Sequence, residues 1–182
     1  MRQSDPNVNK QEFRAPIPSY NAIAAVNEKG YIGKNGDLLY AIKEDMAYFA
    51  ATTRGKTLVM GRKTLLSLPG GKGLKGRTNI VLSRNMTKEE AEGCGALLAR
   101  TPEDIKAILS SRAILPEEVF VIGGGEIYSL LLPYCKTLYI TRVFASDEGD
   151  VAFPSIPPDF SLIKGEEKEA NGIRFRFDTY VR

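Results

Sequence analysis

The chain contains no histidine. Histidine-based triads and most catalytic zinc sites are therefore excluded, and acid–base chemistry has to use other groups. The two cysteines, Cys94 and Cys135, are far apart and match no metal or redox spacing. They are read as reduced, partly buried thiols of a cytoplasmic protein, and no metal site is expected. No apolar run approaches the length of a membrane span. The stretch from Met1 to Ala15 is polar and holds no signal-peptide core. Two phosphate motifs are also missing. Gly55-Lys56-Thr57 has the tail of a P-loop, but Ala50 stands where the first glycine is required and the segment precedes a strand. Gly123-Gly124-Gly125 lacks the G-x-G-x-x-G spacing of an ordinary Rossmann turn. Acidic residues are absent from Met46 to Lys88, where Arg54, Lys56, Arg62, Lys63, Lys72, Lys75, Arg77, Arg84 and Lys88 occur. That stretch is either a solvated surface whose acids lie elsewhere or a region of positive potential for an anionic partner. It has no interleaved aromatics, so a small polyanion fits better than a nucleic-acid groove.

A length of 182 residues, 43% hydrophobic and 26% charged, suits one globular domain with a sizeable core. Residues 1–17 read as an irregular extension and residues 18–182 as the domain, expected to be a monomer. The sequence predicts strands over Tyr20 to Val26, Thr57 to Gly61, Thr78 to Ser83, Ala96 to Ala99, Val119 to Ile122 and Thr137 to Val143. Helices are predicted over Lys43 to Thr53, Arg62 to Leu68 and Thr101 to Ser111, the last with Thr101 and Asp104 as a cap. Asn27 to Leu39, with Gly30, Gly33 and Gly36, reads as a long mobile loop. Ile173 to Val181 alternates, with Arg174, Arg176 and Asp178 on an exposed face, and pairs with a segment near Phe160 to Lys168. These alternations predict an α/β fold: a central, mainly parallel twisted sheet of about eight strands, helices on both faces, and an antiparallel C-terminal hairpin.

Two features point to chemistry. The strand Val119 to Ile122 runs into three glycines and then into Glu126, Ile127 and Tyr128, where helical spacing begins. Bare glycines between strand and helix let backbone N–H groups approach a ligand, and a helix start favours a phosphate. The bland alternative is a tight turn, for which one glycine would suffice. The second feature is Asp45, three residues after Ile42 and four before Phe49, on the apolar stripe of Ile42, Met46, Phe49 and Thr53. A carboxylate there is costly unless paired or used. It could satisfy a buried hydroxyl or backbone group, or grip a polar group of a ligand lying against Phe49. Burial should raise its pKa.

In order along the chain, Ile23-Ala24-Ala25, Ile32-Gly33, Asp45 with Phe49, Met60 to Thr64, Arg77 to Arg84, Val121 to Tyr128, Leu138 to Thr141, and Glu148-Gly149-Asp150 before Phe153-Pro154 together resemble the dihydrofolate reductase family. The resemblance spans about Tyr20 to Val181. It implies NADPH-dependent reduction of 7,8-dihydrofolate, with dihydrofolate as the partner and neither nucleic acid nor membrane involved. It implies Asp45 as the acidic site residue holding the pterin, supported by Thr141, with Tyr40 orienting water nearby. Ile23, Ala24, Ala25, Met46, Phe49, Leu68, Leu74, Ile122 and Tyr128 would wall the substrate, and Arg77 would fork onto its α-carboxylate. Ala25, Ile32, Gly33, Gly61, Lys63, Thr64, Leu82, Ile122, Gly123, Gly124, Gly125, Glu126, Ile127 and Tyr128 would line the cofactor, with Arg62, Ser83 and Arg84 at its 2′-phosphate. The family has a cis peptide at the glycines matching Gly123 and Gly124. Its lid matches Asn27 to Leu39, steadied by Asp150. Tyr40 stands where the family usually has tryptophan, Leu39 and Lys43 where prolines are common, and Glu126 where some members are basic. A pyrimidine reductase of similar fold would not need Asp45 or Arg77. A non-catalytic folate- or nucleotide-binding module would keep the binding groups without a productive lid, and an RNA-contacting protein would use only the basic stretch.

Overall fold

The computed structural model describes residues 15–182. Most of the extension expected over residues 1–17 lies outside the described residues, and residues 15–19 have no regular structure. The chain then runs β1 (Tyr20–Asn27), β2 (Tyr31–Lys34), β3 (Asp37–Leu38), α1 (Lys43–Thr53), β4 (Thr57–Gly61), α2 (Arg62–Ser67) and β5 (Thr78–Leu82). It continues through α3 (Lys88–Gly93), β6 (Leu97–Ala99), α4 (Pro102–Ser111), β7 (Val119–Gly123), α5 (Gly125–Leu131) and β8 (Cys135–Val143). The last elements are β9 (Val151–Ala152), β10 (Ser161–Ile163), β11 (Glu167–Ala170) and β12 (Ile173–Val181). The main sheet has the order β10-β12-β8-β1-β7-β4-β5-β6, with β11 also paired to β12. The β8-β1-β7-β4-β5-β6 run is parallel and β12 joins it antiparallel.

Strand periodicity sorts the core into two faces. Val59, Ile80, Val119 and Val121 point to the side covered by Ile105 and Leu109 of α4 and Leu131 of α5. Leu58, Met60, Val81 and Phe120 point to the side covered by Leu65 of α2 and Ala91 of α3, with Phe49 of α1 packed on it. Strands buried on both faces read as continuous apolar runs, which is why β4 and β7 are plain in the sequence. Thr101 and Asp104 form the capping box at the start of α4. Among the described residues no helix is long and apolar enough to cross a membrane.

Three expectations need correction. The segment Asn27 to Leu39 is not merely a loop. β2 and β3 form a hairpin and β9 pairs with β2 in a second, small sheet. Its turn is Asn35-Gly36, both at positive φ (52° and 84°), the residue pair that two-residue hairpins favour. α3 is absent from the expected elements, yet Thr87 and Glu90 cap it reciprocally. Finally, the Arg174, Arg176 and Asp178 face of β12 is not free. Asp178 is 1% exposed. Arg176 forks onto it through Nε and Nη2 at 2.6 and 2.8 Å, and the Gly165 amide donates to it at 3.2 Å. The chain between β10 and β11 folds back onto that face.

Candidate active site

Asp45 lies in the first turn of α1 and Thr141 near the end of β8. Their side chains meet 96 residues apart in sequence: the Thr141 hydroxyl donates to Asp45 Oδ1 at 2.5 Å. Asp45 is half-buried, and among the described residues no Lys or Arg lies within salt-bridge distance. Burial raises its pKa, and the Thr141 hydrogen bond acts the other way. An acceptor with one donor and no cation retains lone pairs for another group.

The wall beside it is apolar. Ile23, Phe49, Leu68, Leu74 and Ile122 fall in one cluster, and Ala25 packs in an adjoining one with Ile42 and Tyr40. Met46 is 60% exposed, so it leaves the core stripe assigned to it. Ala24 alternates to the opposite cluster, and its methyl turns away from this wall. Tyr128 is likewise in the opposite cluster, 5% exposed, with its hydroxyl donating to the Ile23 carbonyl at 2.6 Å. It supports the floor of the crevice from beneath. Tyr48, which helical spacing around Asp45 does not single out, stacks on Phe177 with ring centroids 4.1 Å apart.

The glycine turn is a cradle shaped by the absence of side chains. Gly123-Gly124 is cis. Gly123 has φ +121°, and a Cβ there would lie 3.2 Å from the Tyr128 ring. A Cβ on Gly125 would lie 3.0 Å from Val151 Cγ1 and 3.1 Å from the Ala152 carbonyl oxygen. A Cβ on Gly61 would lie 3.0 Å from Ile127 Cγ1, so the starts of α2 and α5 sit side by side. Thr64 Oγ1 borders Gly124, at 3.6 Å from the position of a Cβ. Arg62 and Lys63 of α2, Arg84 after β5, and Glu126 of α5 are exposed. Ser83 Oγ accepts the Met86 amide at 3.2 Å. Arg100, which the sequence reading omits, donates from Nη1 to the Ser83 carbonyl at 3.0 Å and adds a cation beside Arg84. Its signal is topological: it follows β6 at the carboxyl end of the sheet, where open α/β folds bind ligands. Leu82 is buried in the opposite-face cluster, and Ile32 packs partly against it.

Arg77, just before β5, is held from three sides. Its Nε donates to Thr53 Oγ1 at 3.1 Å, Nη1 to the Lys75 carbonyl at 2.8 Å and Nη2 to the Ala50 carbonyl at 3.1 Å. Three of the five N–H groups of a guanidinium are thereby used and two remain.

The hairpin after β1 is tied to the rest by Asp150, which accepts the Asn35 amide at 2.9 Å and donates its own amide to the Gly33 carbonyl at 3.0 Å. The Tyr40 hydroxyl, expected to orient water near the substrate, is committed elsewhere. It donates to Asp147 Oδ2 at 2.7 Å and accepts from Asn27 Nδ2 at 3.2 Å. Tyr40 thus fastens the foot of the hairpin. Among the described residues no group of three His, Cys, Asp or Glu side chains could hold a metal ion.

A mainly parallel sheet with a glycine turn at the carboxyl ends of β4 and β7 and a half-buried carboxylate against the end of β8 belongs to the α/β class, whose members bind ligands outside the strand ends. Comparison with known proteins makes this specific. The sequence profile of the dihydrofolate reductase family matches residues 19–182. The chain is 43% identical over 165 residues to the dihydrofolate reductase of Neisseria meningitidis serogroup A (strain Z2491), covering 88% of this chain and 96% of that one. It is 35% identical over 164 residues to the dihydrofolate reductase of Bacillus subtilis strain 168 (88% and 92% covered). It is 34% identical over 166 residues to that of Staphylococcus haemolyticus (88% and 93% covered). The chain belongs to the dihydrofolate reductase family and is an oxidoreductase.

Proposed function

We propose that this crevice reduces 7,8-dihydrofolate to 5,6,7,8-tetrahydrofolate with NADPH as the donor, and that Asp45 is its acidic residue. The observation that carries the assignment is a half-buried carboxylate supported by one hydroxyl, with no cation beside it and an apolar wall of Ile23, Phe49, Leu68 and Ile122 next to it. NADPH, when bound, supplies the hydride that goes to C6 of the pterin, while N5 takes a proton. The glycine cradle fits such a group, because side chains at Gly61 or Gly125 would crowd Ile127, Val151 and Ala152. Arg62, Lys63, Thr64, Ser83 and Arg84 would hold its phosphates, joined by Arg100.

Asp45 would accept hydrogen bonds from the pterin N3–H and 2-amino group. A desolvated anion interacts more strongly with the N5-protonated ring than with the neutral one, so its contribution is larger in the transition state than in the ground state. Thr141 orients the carboxylate and keeps its pKa from rising further. Ile23, Phe49 and Leu68 hold the ring plane and exclude water, an orientation effect. Arg77 offers its two remaining N–H groups to the substrate's α-carboxylate, and the hairpin pinned by Asp150 covers the cradle.

The test is consumption of NADPH absorbance with and without dihydrofolate, in wild type and in Asp45→Asn. Dihydrofolate-dependent turnover is expected in wild type. In the variant it is expected to fall by at least about a hundredfold at neutral pH, the scale of losing a group that stabilises developing charge in the transition state. Near-normal turnover in a folded Asp45→Asn protein would remove the assignment.

A further inference from the structure

Arg142 directly follows Thr141 on β8, so its side chain emerges on the opposite face of the sheet from Asp45. There it lines a cavity of about 600 Å³, walled by Val26, Phe153, Pro157, Phe160 and Tyr180 and bordered by Lys29. The volume lies within the range of small-molecule sites, and the open wall is polar and apolar in about equal measure, with Arg142, Lys29, Ser155 and Tyr180 among the apolar groups. The guanidinium is poorly satisfied. Nη2 donates to the Tyr180 hydroxyl at 3.2 Å, and Nη1 reaches the Asn27 carbonyl only at 3.5 Å. Among the described residues no carboxylate lies within 4.0 Å of it.

The neighbouring charges leave it over. Arg176 of β12 is its register partner across the antiparallel pair, and two like charges placed directly opposite destabilise a sheet. The acid on that face, Asp178, is consumed by Arg176 through both carboxylate oxygens. Lys29 is paired with Glu148. Asp147 and Glu167 also lie in this neighbourhood, beside Lys29 and Arg176, but among the described residues neither comes within 4.0 Å of Arg142, which keeps no carboxylate partner. At least three of its five N–H groups have no protein partner among the described residues, and they border a mixed polar and apolar cavity of ligand size.

The geometry points to a second ligand site here, behind the catalytic face, for a small organic carboxylate with a flat apolar body. The carboxylate would take the free edge of Arg142. The ring would lie among Phe153, Pro157 and Phe160. The site lies apart from Asp45 and Arg77, shares with the surroundings of the glycine cradle only Ala152 and the Phe153 that packs on Tyr128, and does not rest on the reaction proposed above.

The test uses 2-naphthoate as probe and its neutral counterpart 2-naphthamide, titrated into the full-length protein with amide chemical shifts as readout. Saturable binding of the carboxylate is expected, with shifts gathered at Arg142, Phe153, Ser155 and Tyr180. The amide should bind at least about tenfold more weakly, as should the carboxylate to Arg142→Gln, the scale of one charge-assisted hydrogen bond. Ser155→Trp, at the exposed rim of the cavity, fills the space without touching the charge. It should abolish binding while NADPH oxidation stays normal, and it decides the matter if Arg142→Gln fails to fold. Shifts centred on Phe49 and Leu68, equal affinity for the two probes, unchanged affinity in either variant, or no saturable binding would each overturn the site.

Discussion

Replacing Arg77 by leucine separates what this residue does for the fold from what it does for the substrate. The side chain makes three internal hydrogen bonds, at 3.1, 2.8 and 3.1 Å, to Thr53, Lys75 and Ala50. Each contributes about 0.5–1.5 kcal/mol net. Thr53 Oγ1 keeps its bond to the Phe49 carbonyl at 2.8 Å, so that hydroxyl is not left unsatisfied. A stability loss of about 2 kcal/mol is therefore expected, within the range a folded domain of this size survives. The substrate effect is larger. Two N–H groups remain for the α-carboxylate, and bonds to charged groups contribute about 1.5–3 kcal/mol each. Discounted for a half-exposed rim, the fork amounts to about 2–4 kcal/mol, or about 30- to 700-fold in Kd. The carboxylate is remote from the reacting carbon, so the loss is uniform binding: KM should rise while kcat holds. Arg77→Lys keeps the charge without the fork and should fall between the two. Calorimetric titration with dihydrofolate and steady-state turnover read both quantities. A reduced pterin substrate lacking the glutamate supplies the control, because its affinity should ignore the substitution. An unchanged dihydrofolate Kd in folded Arg77→Leu, or an equal loss for the truncated substrate, would refute the reasoning.

Thr141→Val removes the hydrogen bond that opposes the burial-driven rise in the Asp45 pKa. The acidic limb of the kcat/KM profile should move to higher pH, and superimposable profiles would deny the coupling. Gly125→Ala should weaken NADPH binding more than dihydrofolate binding, because its Cβ would press on Val151 and on the Ala152 carbonyl; direct titration with each ligand distinguishes the two. Asp45→Asn should be no less stable than wild type at neutral pH without ligands. The native pKa of Asp45 is raised, so the native state binds more protons than the unfolded state between the ordinary carboxylate pKa and the native one. Wild-type stability falls across that window as pH rises, and the variant lacks that fall. Urea unfolding of both proteins from acid to neutral pH checks the sign, and a markedly less stable variant at neutral pH would reverse it.

What the sequence discloses follows from how far each signal reaches. β4 and β7 are buried on both faces, so their apolar runs stand out without any tertiary information. The cap of α4 is local and legible for the same reason. The cap of α3 is equally local, but α3 has only six residues, too few for an apolar period to draw attention to Thr87 and Glu90. The hairpin of β2 and β3 carries its Asn35-Gly36 turn in plain view. Its strands are short, and β2 is completed by β9 more than a hundred residues later. Ala24 and Tyr128 belong to the right segments, yet the side they face depends on strand parity and helix packing that a motif does not encode. Arg100 joins Ser83 and Arg84 only because β5 and β6 are adjacent in the sheet.

Asp45 and Asp178 show most clearly where sequence reasoning ends. Both are acids on faces that a folding rule would keep apolar or exposed, and neither position alone reveals its purpose. The structure separates them by partner. Asp178 is almost fully buried but receives a bidentate guanidinium and a backbone amide. Its charge is met inside the fold, and removing the acid would strand Arg176. Asp45 receives one hydroxyl and no cation, so its charge is not met by the described residues. A carboxylate whose desolvation the protein itself does not offset is a local inconsistency of the kind expected at a functional site. That imbalance, more than burial itself, is what supports the ligand-holding role proposed for Asp45.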